Sequence, residues 1–94
     1  MTLGPADAER AWRIEYAGRA EKDIARLDAA IRRRVLAALS RLAVEPRGSQ
    51  LRKLTGSDEL RMRVGDRRVR FTRDAEQRVI FVTRVLPRGR AYDR

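Results

Sequence analysis

Residues 60–71 read Leu60-Arg61-Met62-Arg63-Val64-Gly65-Asp66-Arg67-Arg68-Val69-Arg70-Phe71. Apolar and charged side chains alternate with period two on either side of Gly65-Asp66, the pattern of two half-buried strands. A two-residue loop with Gly first has the composition of a type II′ hairpin turn. Counting outward pairs Val64 with Arg67, Arg63 with Arg68, Met62 with Val69, Arg61 with Arg70, and Leu60 with Phe71. Paired residues share a face. Leu60, Met62, Val69 and Phe71 therefore form a core side, and Arg61, Arg63, Arg68 and Arg70 form the other. A slip of one position would scramble both sets, so the register is well specified.

Four guanidiniums side by side are unfavourable by roughly 0.2–1 kcal/mol per directly opposed pair. A solvated face whose Arg stems cover the sheet would tolerate this. A preformed anion site would use it, because planar guanidiniums grip phosphate oxygens bidentately. Arg88 and Arg90, past the last strand, are placed to close the cluster at its rim. Tyr92 offers a stacking platform, a proton carrier or a tail anchor.

Working outward, a second turn at residues 74–77 leads into 79–85, a nearly continuous apolar run that suits a central strand buried on both faces. Upstream, residues 11–17 alternate as a strand, with Trp12, Ile14 and Tyr16 on one side. Ala20, Ile24 and Leu27 then form a helical stripe over residues 19–27. Asp28 is a candidate N-cap for a second helix, whose Ile31, Val35, Ala38, Leu39 and Leu42 fall on one face. That helix should stop near Glu45, because Pro46 disfavours helix in the residue before it. The predicted fold is α+β: an N-terminal strand, a helical hairpin with a short connection, then a three-stranded antiparallel meander, with the helices on one face of a small sheet. Residues 1–10 read as a loose leader to a single domain over residues 11–94.

The 94 residues carry 23 Lys and Arg against 13 Asp and Glu, a net charge of +10. Residues 1–46 hold 9 basic and 7 acidic groups, whereas residues 47–94 hold 14 and 6. The excess thus lies with the meander, and a polyanion or an acidic protein is the natural partner. Cys and His are absent. That removes disulfides, thiolate nucleophiles, the usual general base and the commonest metal ligand, so no cofactor or metal is expected. No apolar run is long enough for a membrane span or a secretory signal, and the expected location is the cytoplasm.

Lys53-Leu54-Thr55-Gly56, the stretch 60–69, Phe81-Val82-Thr83-Arg84-Val85 and the closing Arg88 and Tyr92 resemble, in that order, the RelE/ParE superfamily of toxins from toxin–antitoxin pairs. The resemblance covers about residues 11–94. It implies a metal-independent endoribonuclease that cuts messenger RNA in the ribosome by attack of the 2′-hydroxyl on the adjacent phosphate. By position it assigns catalytic roles to Arg61, Arg63, Arg68, Arg88 and Tyr92, with Lys53, Arg67, Arg70 and Arg90 in RNA binding. Lys is common in the family where this chain has Arg61 and Arg63, and a guanidinium does not act as a base in proteins. Proton transfer is therefore left to Tyr92, a carboxylate such as Glu59, or water. Arg67 stands where an aromatic residue is frequent, and Leu86-Pro87 replaces a common His-containing turn. The resemblance also implies an acidic antitoxin as partner. Its other branch inhibits DNA gyrase, and composition alone allows a basic RNA-binding protein without chemistry.

Overall fold

The computed structural model describes residues 11–46, 52–53 and 59–87. The chain runs β1 (Arg13–Tyr16), α1 (Gly18–Ala25), α2 (Ala29–Val44), β2 (Arg52–Lys53), β3 (Leu60–Val64), β4 (Arg67–Asp74) and β5 (Val79–Pro87). The strands form one five-stranded sheet in the order β1-β5-β4-β3-β2. Strands β2 to β5 pair antiparallel, while β1 lies parallel to β5, so the sheet is mixed. The leader proposed at residues 1–10 lies outside the described residues.

The β3–β4 hairpin has the register counted from the sequence, from Val64 opposite Arg67 to Leu60 opposite Phe71. Gly65 has φ +59°, and Asp66 stays at negative φ. Positive φ at the first turn position alone is the type II′ pattern.

Between the helices, Asp28 Oδ2 accepts from the Ile31 amide at 3.4 Å and so caps α2. The guanidinium of Arg32 turns back and donates to the carbonyls of Ile24, Ala25 and Leu27 at 3.2, 3.3 and 2.7 Å. It satisfies the open carbonyls of α1 and places a cation at the negative end of that helix. The connection is Arg26, Leu27 and Asp28. Helix α2 ends at Val44, with Glu45 as its C-cap.

Both helices cover the same side of the sheet. Ala20, Leu27, Val35, Ala38, Leu39 and Leu42 pack there against Met62, Val69, Phe71, Ile80, Val82 and Val85. Strand β5 is interior to the sheet, as its apolar run implies, but it is not buried on both faces: Phe81 is 38% exposed. Phe81 faces the side away from the helices, and the nearly continuous apolar run has its origin in a bulge. Arg70 pairs with Arg84 and Phe71 with Val82, which leaves Thr83 as the extra residue. Strict alternation would send Val82 and Val85 to opposite faces; the bulge resets the alternation, and both are buried against the helices.

Candidate nucleic-acid interface

The side of the sheet away from the helices carries the basic residues. Alternation sends Arg61, Arg63, Arg68 and Arg70 there because their neighbours are buried in the core. Arg63 is exposed, and Arg61 and Arg68 are half-buried. The side chains of Arg61 and Arg63 have no hydrogen-bond or ion-pair partner among the described residues.

Arg70 is held differently. Its Nε and Nη2 donate to Glu59 Oε1 at 3.0 and 2.5 Å, and Thr83 Oγ1 donates to Glu59 Oε2 at 2.5 Å. The Arg70 and Glu59 side chains are only 22% and 18% exposed. The Arg70 guanidinium is therefore compensated inside the fold. Glu59, considered above as a proton carrier, already has both oxygens engaged. Glu59→Gln would leave the Arg70 charge half-buried and unpaired. We expect a loss of about 1–3 kcal/mol in stability, together with tighter and more salt-dependent RNA binding. Thermal melting and fluorescence anisotropy check the two effects.

A second carboxylate anchors the far end of β5. Asp23 of α1 accepts from Arg84 Nε at 2.8 Å, from Arg84 Nη2 at 3.2 Å and from the Val85 amide at 2.9 Å. Strand β1 pairs with β5 only as far as Val82, so Asp23 takes the place of a strand neighbour beyond it. Burial disfavours the Asp23 anion, but Arg84 and the Val85 amide outweigh this and hold the carboxyl below its ordinary range. A depressed carboxyl contributes stability above its unfolded value, near pH 3.9, and loses it as pH falls through the folded value. Asp23→Asn is accordingly expected to melt below the wild type at neutral pH. The gap should narrow below about pH 4; melting curves against pH measure it.

Of the other sequence-assigned residues, Arg67 pairs with Val64. It therefore stands on the helix side of the hairpin, apart from Arg61, Arg63 and Arg68, and it bonds Asp66 at 3.0 Å. Lys53 stands opposite Leu60 in β2, and Arg52 opposite Arg61. Arg88, Arg90 and Tyr92 lie outside the described residues. Tyr16 packs against the core on the helix side, where burial pushes its phenol above the usual range. Phe81, opposite Thr72, lies on the same face as Arg68 and Arg70 and was not anticipated there. Among the described residues, no group of three or more carboxylates is placed to hold a metal ion, and no helix is long and apolar enough to cross a membrane.

Comparison with known proteins agrees with this architecture. Residues 14–92 match the family model described as the ParE toxin of the type II toxin–antitoxin system parDE. The RelE–RelB complex of the archaeon Pyrococcus horikoshii is 30% identical, with TM-score 0.72 over 86% of this chain and 99% of that one. The isolated RelE toxin of Escherichia coli is 24% identical, with TM-score 0.75 over 87% of this chain and 89% of that one. The RelBE2 toxin–antitoxin complex of Mycobacterium tuberculosis is 22% identical, with TM-score 0.74 over 83% of this chain and 99% of that one. No curated protein matches. The chain belongs to the RelE/ParE superfamily. It is the toxin of a type II toxin–antitoxin system, RelE-like in structure.

Proposed function

We propose that this toxin is a ribosome-dependent endoribonuclease that cuts messenger RNA in the cytoplasm and so inhibits translation. The supporting observation is the pair Arg61 and Arg63, uncompensated by any described carboxylate, on the side of the sheet away from the helices and beside Arg68. In-line attack of a 2′-hydroxyl builds negative charge on a pentacoordinate phosphate. Fixed guanidiniums stabilise that charge in the transition state more than in the ground state. The family resemblance assigns Arg88 to the same task. Tyr92 or water carries the proton, because Arg cannot and Glu59 is engaged. Substrate alignment comes from the ribosome, which holds the message. Lys53 and Arg90 add contacts to the message.

The P. horikoshii, E. coli and M. tuberculosis toxins were each crystallised with an antitoxin. By that likeness this chain takes an acidic antitoxin, whose carboxylates are attracted to the same arginine face. Primer extension on messages in programmed ribosomes, wild type against the Arg61→Ala/Arg63→Ala variant, tests the nuclease. The ParE name of the matching family keeps gyrase inhibition as the second possibility. A supercoiling assay on the same preparation distinguishes it.

A further inference from the structure

Strand β5 presents one aromatic ring on the side of the sheet away from the helices. Among the described residues, the large apolar side chains left exposed are Leu36 and Phe81, each at 38%. A singly exposed apolar residue is ordinary on a surface, but the placing of Phe81 is specific. Counted from the buried Val85, strict alternation would turn Phe81 toward the helices. The extra residue at Thr83 turns it the other way, onto the face of Arg61, Arg63 and Arg68. Thr83 itself donates to Glu59, the carboxylate that holds Arg70. One bulge thus exposes the ring and supports the brace beside it.

Charge on this face is graded. Arg61 and Arg63, at one end, meet no described carboxylate. Around Phe81 the charges cancel. Its strand neighbours are Thr72 in β4 and Glu15 in β1. Glu15 is paired with Arg13 at 2.9 Å, and Arg70 is taken up by Glu59. Phosphate is drawn to the arginine end and gains nothing beside Glu15, whereas an uncharged, flat nucleobase suits the aromatic end. With strands about 4.8 Å apart and residues about 3.3 Å apart along them, the Cα of Phe81 lies about 12 Å from that of Arg61 and about 14 Å from that of Arg68. The ring is therefore too far away to touch a phosphate held by those arginines, and the gap leaves room for a flanking nucleotide. We propose that Phe81 is a stacking platform for an unpaired nucleobase beside the cleaved bond of single-stranded RNA. Phe81 has this positioning role on the reading of the chain as a nuclease that acts on messages.

The test is fluorescence anisotropy of the full chain with a short single-stranded RNA and with an abasic ribose-phosphate strand of the same length, over a range of salt. Phe81→Leu keeps apolar bulk but loses the π face, and its RNA affinity is expected to fall about tenfold. The salt slope should not change, because no phosphate contact is lost. Phe81→Trp should bind RNA within about twofold of the wild type, since any aromatic face stacks. On the abasic strand all three chains should bind alike. Primer extension in programmed ribosomes is run beside it, and Phe81→Leu should still cut, with less dependence on the nucleobase next to the cut. A wild type that cuts messages while Phe81→Leu matches it in affinity and cleavage pattern would overturn the platform and keep the nuclease. A wild type that stacks RNA on Phe81 but cuts no message would overturn the nuclease and keep the platform. An equal loss on the abasic strand, or an effect on antitoxin binding alone, would also overturn the platform.

Discussion

Replacing Arg61 and Arg63 together by alanine is expected to slow cleavage of ribosome-bound message by at least about 10³-fold, while the melting temperature stays the same or rises. Loss of one fixed charge donor at a developing oxyanion lowers a rate by about 10²–10³-fold, and residues that act as a unit are not additive. The fold should not suffer. Arg61 opposes Arg70 and Arg63 opposes Arg68, so their removal relieves two like-charge juxtapositions. Arg61→Lys/Arg63→Lys keeps the charge but loses the planar fork, and an intermediate rate is expected. The measurements are primer extension in programmed ribosomes and growth arrest on induction. Full cleavage by the double alanine variant would remove the arginine face from the mechanism.

Phe71→Ala is expected to be the most damaging single truncation in the core. Phe71 is 0% exposed and heads the fully buried side chains by volume, with Leu39, Ile80, Val35, Val69 and Val82. It sits where the helical layer meets the centre of the sheet, and its strand, β4, is the middle one of five. Deleting a buried Phe costs about 3–5 kcal/mol through lost transfer energy and the cavity left behind. A domain of this size has only about 5–15 kcal/mol in total. In urea the midpoint should drop by about 2–3 M. If the alanine variant does not fold, Phe71→Leu should fold with a loss of about 1 kcal/mol. Thr72→Ala, one residue along and on the opposite face, should change the midpoint little. Equal effects at positions 71 and 72 would mean that the hairpin register is wrong.

Much of this was legible in the chain because its signals were local. The Gly65-Asp66 turn needs only a positive φ at its first position, and strand alternation then carries the register outward without help from the rest of the molecule. Asp28 as a cap and Pro46 as a stop act on the backbone within one helical turn. The parallel placement of β1, the strand β2 and the bulge at Thr83 are long-range matters. An apolar run such as residues 79–85 looks the same whether it is covered on two faces or bulged and covered on one.

Alternation alone put Arg61, Arg63, Arg68 and Arg70 on one face. Which of them remain available to an anion was settled by the folded chain, through a carboxylate at Glu59 eleven positions from Arg70 and a hydroxyl at Thr83. The same holds for Asp23, which meets Arg84 across 61 positions. Periodicity specifies direction relative to a strand or helix axis, whereas charge compensation depends on which atoms arrive at one point in space. Only the packed sheet and helices bring those atoms together.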